Sequence, residues 1–231
     1  MVWNDVRNIE KTMLSVLNQT YPNVEYVVID GKSTDGTWEV IEKYKERLSY
    51  CISEPDSGIY DAMNKAIKEA TGEWILFMNC GDGFYDNHTI EKAFNCFVDN
   101  GESLVYGDCY VVNHPQKPDC VVKARAQSSN KIEYAPGFHQ AIFTRTVELK
   151  QHPFKTKYRI IADFVFFYDL YQRNHRWHYT KSVICYYDYT GVSSTSRIDI
   201  MHEKAKFYTS RLKFTNAAKY WIVYIKRLIT G

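Results

Sequence analysis

Trp74-Ile75-Leu76-Phe77-Met78-Asn79-Cys80-Gly81-Asp82 is the stretch that decides the fold. Five apolar residues in succession read as a buried strand. The run then breaks into Asn, Gly and a carboxylate. In open α/β sheets, ligands bind beyond the carboxyl ends of the strands. A buried strand that stops at Asp82 therefore predicts the edge of a binding crevice. Asp30, Asp35, Asp56 and Asp61 follow similar strand-to-loop transitions upstream.

The flanking sequence supports an alternation of helix and strand. Ile9, Met13, Val16 and Leu17 keep helical spacing until Pro22. Residues 24–29 form a short apolar strand, and the turn at residues 31–36 offers Ser33, Thr34 or Asp35 as a helix cap. Residues 50–53 read as a second strand. Ile59, Met63, Ala66, Ile67 and Ala70 form a helical stripe that Gly72 ends. This alternation predicts right-handed crossovers and a mostly parallel sheet. Beyond Asp82 the pattern changes. Strands are expected at 103–106, 109–113, 120–124 and 182–187, with helices at 162–171 and 199–228. A sheet of this kind opens with a strand before its first helix, yet only Met1-Val2-Trp3 precede Asn4. The first strand is expected to be cut short or missing.

Composition narrows the function. At 231 residues the chain fits one domain with a C-terminal elaboration. A net charge of +2 argues against a nucleic-acid binder. The charge is uneven, because residues 201–231 hold seven Lys or Arg against Glu203 alone. None of the six cysteines forms a CxxC pair, so a zinc site is not expected and the thiols read as reduced core residues of an intracellular protein. The start carries no secretory leader pattern. No uncharged apolar run reaches the 18 residues of a spanning helix.

Carboxylates gathered at strand ends repel one another unless a cation or hydrogen-bond donors offset the charge. Hard divalent ions favour such oxygen ligands. Each Asp can also serve simply as a cap or turn residue, Asp35 most readily.

At this point the sequence resembles a known family. Residues 15–25 read Ser-Val-Leu-Asn-Gln-Thr-Tyr-Pro-Asn-Val-Glu, and residues 28–37 read Val-Ile-Asp-Gly-Lys-Ser-Thr-Asp-Gly-Thr. Residues 54–65 read Glu-Pro-Asp-Ser-Gly-Ile-Tyr-Asp-Ala-Met-Asn-Lys, and Gly72-Glu73-Trp74-Ile75 follows. Together they resemble family 2 glycosyltransferases of the GT-A fold, in the branch that builds bacterial surface polysaccharides. The resemblance is dense over 4–85 and thinner to about 195. It implies an α/β fold, Rossmann-like, with a mostly parallel mixed sheet flanked by helices. It implies a domain over 1–198, with a nucleotide-sugar half at 1–107 and an acceptor half at 108–198, and a C-terminal basic amphipathic helix region at 199–231.

The implied activity is inverting transfer of a sugar from a nucleotide-diphosphate sugar to a hydroxyl of a glycan or lipid-linked acceptor. The resemblance places the nucleotide sugar against Asp30, Ser33, Asp35, Asp56, Gly58, Asp61, Asn64, Lys65, Asn79, His139 and Gln140. Asn79-Cys80-Gly81-Asp82 stands where the family has an Asp-x-Asp motif, so Asp82 is the carboxylate left to bind a divalent metal, Mg²⁺ or Mn²⁺. Asp163 matches the catalytic base, although it also reads as a helix cap. Gly191-Val192-Ser193-Ser194 is expected to close over the diphosphate. The basic, aromatic tail suits the anionic inner face of a cell membrane, with the rest of the protein cytoplasmic. It also suits a helix packed on the domain. Two other readings stay open. One is a degenerate, non-catalytic domain that binds a nucleotide sugar or a partner. The other is a sugar nucleotidyltransferase, which the lack of glycine in residues 4–12 disfavours.

Overall fold

The computed structural model describes residues 1–95, 97–125, 136–173, 175–191 and 196–230. Residues 192–195, where the diphosphate-closing loop is expected, lie outside the described residues.

The first half follows from its periodicities. α1 (Ile9–Leu17) buries Ile9, Thr12, Met13 and Val16, one face of a helix. β1 (Val27–Asp30) and β2 (Tyr50–Ser53) pair in parallel, with Asp30 opposite Ser53. The crossover between them contains α2 (Thr37–Glu42). α3 (Ile59–Glu69) buries Tyr60, Ala62, Met63, Ala66 and Ile67. Of the apolar run at 74–78, only β3 (Trp74–Ile75) enters a ladder, although Phe77 and Met78 are buried.

A second sheet of six strands is assembled from distant segments among the described residues. β4 (Gly83–Phe84), β5 (Glu102–Val112), β6 (Cys120–Val122), β7 (Ile142–Arg145) and β8 (Arg176–Asp188) join β3 in the order β3-β7-β5-β8-β4, with β6 on β5. β5 and β8 are parallel, whereas the other pairs of this sheet are antiparallel. Among the described residues, the parallel pairing expected from the helical crossovers is thus confined to β1–β2, β5–β8 and an isolated bridge between Val2 and Asp30. After Asp82 the intervening helices no longer return each strand in the same direction. The strands expected at 103–106 and 109–113 are one strand, β5, with a register shift between Tyr106 and Asp108. Gly107 makes that shift possible, because a Cβ there would lie 2.4 Å from the Ser182 carbonyl oxygen.

α4 (Thr89–Phe94) and α5 (Thr146–Gln151) flank the sheet. α6 (Ala162–Gln172) is apolar on nearly every side and buries seven of its residues, which marks a central helix. α7 (Arg197–Ser210) and α8 (Phe214–Thr230) cover it; they split the helix expected at 199–228 at Leu212, whose φ is +55°. Ala205, Phe207 and Tyr208 of α7 are fully enclosed in the same core as Phe164, Tyr168 and Tyr106. The Phe207 ring meets Tyr158, Phe164, Tyr168 and Tyr208 at centroid separations of 5.0–6.1 Å. Phe207→Ala should therefore lower the unfolding free energy by about 3–5 kcal/mol. Urea denaturation measures it, and a loss below about 1 kcal/mol would show that α7 is not part of the core.

Candidate active site

β1 ends at Asp30, which is completely buried. Its carboxylate accepts bonds from the Ser33 amide at 3.0 Å and from the hydroxyls of Ser33 and Ser53 at 2.5 Å. Ser33 Oγ in turn accepts the Asn4 amide at 2.7 Å. Asp35 binds the Val6 amide through one oxygen and the Thr37 amide and hydroxyl through the other. It therefore staples the loop at residues 4–6 to the start of α2. Asp56 accepts the Gly58 amide at 2.8 Å and lies across from Gly31, where a Cβ would sit 2.7 Å from Asp56 Oδ2. The missing Cβ at Gly31 leaves room for this approach. Asp61 accepts the Ser57 amide at 3.0 Å and so orders the same turn.

The structure gathers several of these acids. The Met1 amino group is driven to a lower pKa by burial, while the charges of Asp30, Asp56 and Asp82 pull it the other way. Carboxylates from three separate loops thus lie within electrostatic reach of one point. Two of the sequence-predicted binding residues are committed elsewhere. Asn64 exchanges two bonds, each 2.9 Å, with the backbone of Phe154. Lys65 pairs with Glu54 and the Pro55 carbonyl, both at 2.7 Å.

Asn79, His139 and Asp163 form a chain. His139 sits in a short 3₁₀ turn, His139–Ala141, that leads into β7. Its Nδ1 lies 2.9 Å from Asp163 Oδ2, and its Nε2 lies 2.9 Å from the Asn79 amide nitrogen. With the amide donating to Nε2, the ring carries its proton on Nδ1 and donates to Asp163. Asn79 Oδ1 is buried without a partner among the described residues. Asp163 Oδ1 accepts the Tyr60 hydroxyl at 2.8 Å and the Phe164 amide at 2.7 Å. Burial pushes the Asp163 pKa up. The hydrogen bond from His139, with those from Tyr60 and the Phe164 amide, outweighs that push and holds the carboxyl below its ordinary range. The carboxyl is ionised at neutral pH and stays about one-fifth exposed.

Asp82 is 6% exposed. Gln140 donates to one oxygen at 2.6 Å and the Asp188 amide to the other at 2.9 Å. Burial raises its pKa to about 6 despite those bonds. Among the described residues no three His, Cys, Asp or Glu side chains gather as a ligand set. The described residues therefore do not by themselves build a cage for a divalent ion.

Sequence reasoning missed Glu203. From α7 its carboxylate accepts the amides of Arg159, Ile160 and Ile161 at 2.7, 3.1 and 3.2 Å, just ahead of α6. A carboxylate on the unpaired amides at a helix start is favoured by both hydrogen bonding and the helix dipole. It fixes the segment from which Asp163 projects. The only sequence signal was an isolated acid in a basic tail. Lys204, its neighbour, lies half-buried over the Phe164 and Tyr220 rings at 4.6 and 5.6 Å, within electrostatic reach of Asp163.

Comparison with known proteins agrees with this architecture. S. aureus TarS 1–349 in complex with UDP superposes with a TM-score of 0.67 at 21% identity, over 88% of this chain and 61% of that one. The mannosyltransferase PcManGT from Pyrobaculum calidifontis, in complex with GDP-Man and Mn²⁺, superposes with a TM-score of 0.65 at 19% identity, over 92% of this chain and 62% of that one. These likenesses define the fold as GT-A. The family profile described as glycosyl transferase family 2 matches residues 1–124, more than half of the sequence. The chain belongs to glycosyltransferase family 2. A PGL/p-HBAD biosynthesis glycosyltransferase of Mycobacterium bovis is 30% identical over 159 residues, 66% of this chain and 60% of the relative. The teichuronic acid biosynthesis glycosyltransferase TuaG of Bacillus subtilis, itself a putative assignment, is 38% identical over 77 residues, 32% of this chain and 31% of the relative. The chain thus spans less than two thirds of the length of these curated relatives.

The Asp82 environment predicts a pH dependence. Its folded pKa of about 6 exceeds the ordinary 3.8. Between those values the folded state holds the extra proton, so this group makes stability fall as pH rises from about 4 to about 6, and adds no slope above. Two pKa units correspond to about 3 kcal/mol. Asp82→Asn should remove that slope, so that its stability relative to the parent rises by about 2–3 kcal/mol between pH 4 and pH 7. Urea titrations at both pH values check this, and parallel curves would contradict it.

Proposed function

We propose that the protein is an inverting glycosyltransferase. It transfers a sugar from a nucleotide-diphosphate sugar to a hydroxyl of a glycan or lipid-linked acceptor. The observation that carries this reading is Asp163, an ionised carboxylate oriented by His139 and Tyr60, with His139 also within electrostatic reach of Asp82. UDP in one fold neighbour, UDP-GlcNAc in another TarS complex and GDP-Man in a third structure support a nucleotide sugar as donor. The relatives named for PGL/p-HBAD and teichuronic acid biosynthesis support a cell-surface product.

An acceptor hydroxyl has a pKa far above neutral and must lose its proton as it attacks. Asp163 takes that proton. The hydroxyl oxygen bonds to the anomeric carbon from the face opposite the diphosphate, the anomeric C–O bond breaks, and its electron pair leaves on the nucleotide diphosphate. Attack opposite the leaving group inverts the centre. His139 and Tyr60 keep the carboxylate aimed, so little reorganisation is needed at the moment of transfer. Asp30 and Ser33 with Asp56 and Gly58 shape the nucleotide side. A divalent ion such as the Mn²⁺ of PcManGT is compatible with a donor diphosphate. No step here is assigned to it.

The absence of a metal-ligand cluster among the described residues favours one competing reading, a nucleotide-sugar-binding domain without turnover. Asp163→Asn separates the two. It should lower sugar transfer, or slow donor hydrolysis, by about 10²–10⁴-fold. A thermal shift by the donor nucleotide should persist, because the variant keeps the nucleotide side. Unchanged transfer in the variant, or no turnover in the parent with any UDP- or GDP-sugar, would overturn the enzymatic reading.

The tail extends the proposal to a surface. α8 packs inward through Ala217 and Tyr220 and leaves Phe214, Ile222, Ile225 and Leu228 at least half exposed, beside Lys213, Lys226 and Arg227. Among the described residues no helix is long and apolar enough to cross a membrane. An apolar stripe edged by cations suits the anionic inner face of a membrane, where a lipid-linked acceptor would lie. Co-sedimentation with phosphatidylglycerol vesicles should exceed that with phosphatidylcholine vesicles and fall in high salt. Ile222→Glu with Ile225→Glu should abolish it, and equal sedimentation of parent and variant would refute this placement.

A further inference from the structure

Three cations converge near Asp163 from three separate segments. Lys204 of α7 lies half-buried, with its Nζ 4.6 Å from the centre of the Phe164 ring and 5.6 Å from that of Tyr220. Phe164 is the residue after Asp163. Lys219 of α8 brings its Nζ to 5.9 Å from the same Tyr220 ring. Two ammoniums thus meet at one buried ring, which stacks on Tyr208 of α7 at 5.5 Å. Contact with aromatic faces steers both lysines along the protein surface.

Arg125 arrives from the segment after β6. The residue is exposed, yet its backbone is pinned. The Tyr106 hydroxyl donates to the Arg125 carbonyl at 2.9 Å, and the Arg125 amide donates to the Pro136 carbonyl at 2.7 Å. One step earlier, the completely buried Asp108 accepts the Ala124 amide at 2.9 Å and the Lys123 ammonium at 2.7 Å. Tyr179 donates to the same carboxylate at 2.6 Å. Tyr106 belongs to the core that also holds Phe164 and Tyr220. Anchoring of this kind places a guanidinium in advance and lowers the ordering cost of a ligand that binds it.

Lys204 lies within electrostatic reach of Asp163, Arg125 and Lys219. Burial lowers its pKa most, Asp163 opposes that, and the charges of Arg125 and Lys219 lower it further. Like charges gathered in this way repel, and an anion among them relieves the repulsion. Glu203, the acid next in sequence, is engaged by the amides of Arg159, Ile160 and Ile161.

We propose that Arg125, Lys204 and Lys219 form a cradle for a phosphate group carried by the acceptor. This deepens, and rests on, the reading of Asp163 as the base for an acceptor hydroxyl. A phosphate monoester carries a charge of about −1.5 to −2 at neutral pH and three acceptor oxygens. One planar guanidinium fork and two ammonium point charges suit it better than they suit a carboxylate. The cradle comes from the segment after β6, α7 and α8, not from the ends of β1 and β2 where Asp30 and Asp56 lie. The acceptor is thus a phosphorylated glycan or a lipid phosphate, held by its phosphate while a sugar hydroxyl reaches Asp163.

Thermal unfolding of the full chain in saturating UDP or GDP tests this, with glycerol 3-phosphate as the probe and glycerol as its neutral control. The phosphate ester should raise the melting temperature by at least about 2 °C, and the gain should shrink in high salt. Lys204→Met with Arg125→Gln should weaken phosphate binding about tenfold or more and leave the nucleotide shift intact. Arg125→Gln with Lys219→Gln, at two exposed positions, gives the same readout if the Lys204 variant does not fold. Phosphatidic acid vesicles that displace the probe would assign the phosphate to a lipid, and vesicles that do not would assign it to a soluble phosphorylated acceptor. Equal shifts with glycerol 3-phosphate and glycerol, or equal phosphate affinity in parent and variants, would overturn the proposal. Loss of the nucleotide shift in the variants would overturn it too, since the cations would then hold the donor diphosphate. A parent that binds the phosphate ester but neither nucleotide would instead contradict the glycosyltransferase reading and leave the cradle standing.

Discussion

A half-buried carboxylate that must stay ionised is the constraint around which this protein is built. Desolvation pushes the Asp163 pKa up. Bonds from His139, Tyr60 and the Phe164 amide outweigh that push, and each comes from a different part of the chain. Tyr60 rides on α3, His139 on the turn before β7, and the amide on α6. The position of one acid therefore ties α3, the turn before β7 and α6 together. The phenol carries one proton and is near two acceptors, Asp163 and the Ile160 carbonyl, both at 2.8 Å. The ionised carboxylate is the stronger acceptor of the two.

The core serves that placement. α6 can be apolar almost all round because the sheet lies on one side and α7 and α8 lie on the other. Glu203 then satisfies the amides ahead of α6 from outside the helix, where no local cap is present. The C-terminal segment is thus linked to the placement of Asp163 through packing and one carboxylate. Asp82 illustrates the opposite balance. It has donors on both oxygens, yet burial still raises its pKa, because neither donor is a full positive charge.

Local signals made the strand ends and the central helix legible in the sequence. Asp30 follows an apolar run, Asp163 opens an apolar helix, and the stripe of α3 is an ordinary amphipathic pattern. The partners of these acids were not legible, because they lie far away along the chain. His139 meets Asn79 across 60 residues, Gln140 meets Asp82 across 58, and Glu203 meets Ile160 across 43. No periodicity encodes such pairs. The course of β5 was obscured for a related reason, since Gly107 reads as a break until β8 is seen passing against it. The same limit applied to Asp82, whose donors Gln140 and the Asp188 amide come from far along the chain.

The central claim is that Asp163 and His139 act as one unit. A double-mutant cycle on the transfer rate, using Asp163→Asn, His139→Gln and their combination, tests it most directly. Groups that act together lose their effect together, so the double variant should be no slower than Asp163→Asn alone, within about threefold. If the two losses multiply instead, the residues work independently and the account of the site is wrong.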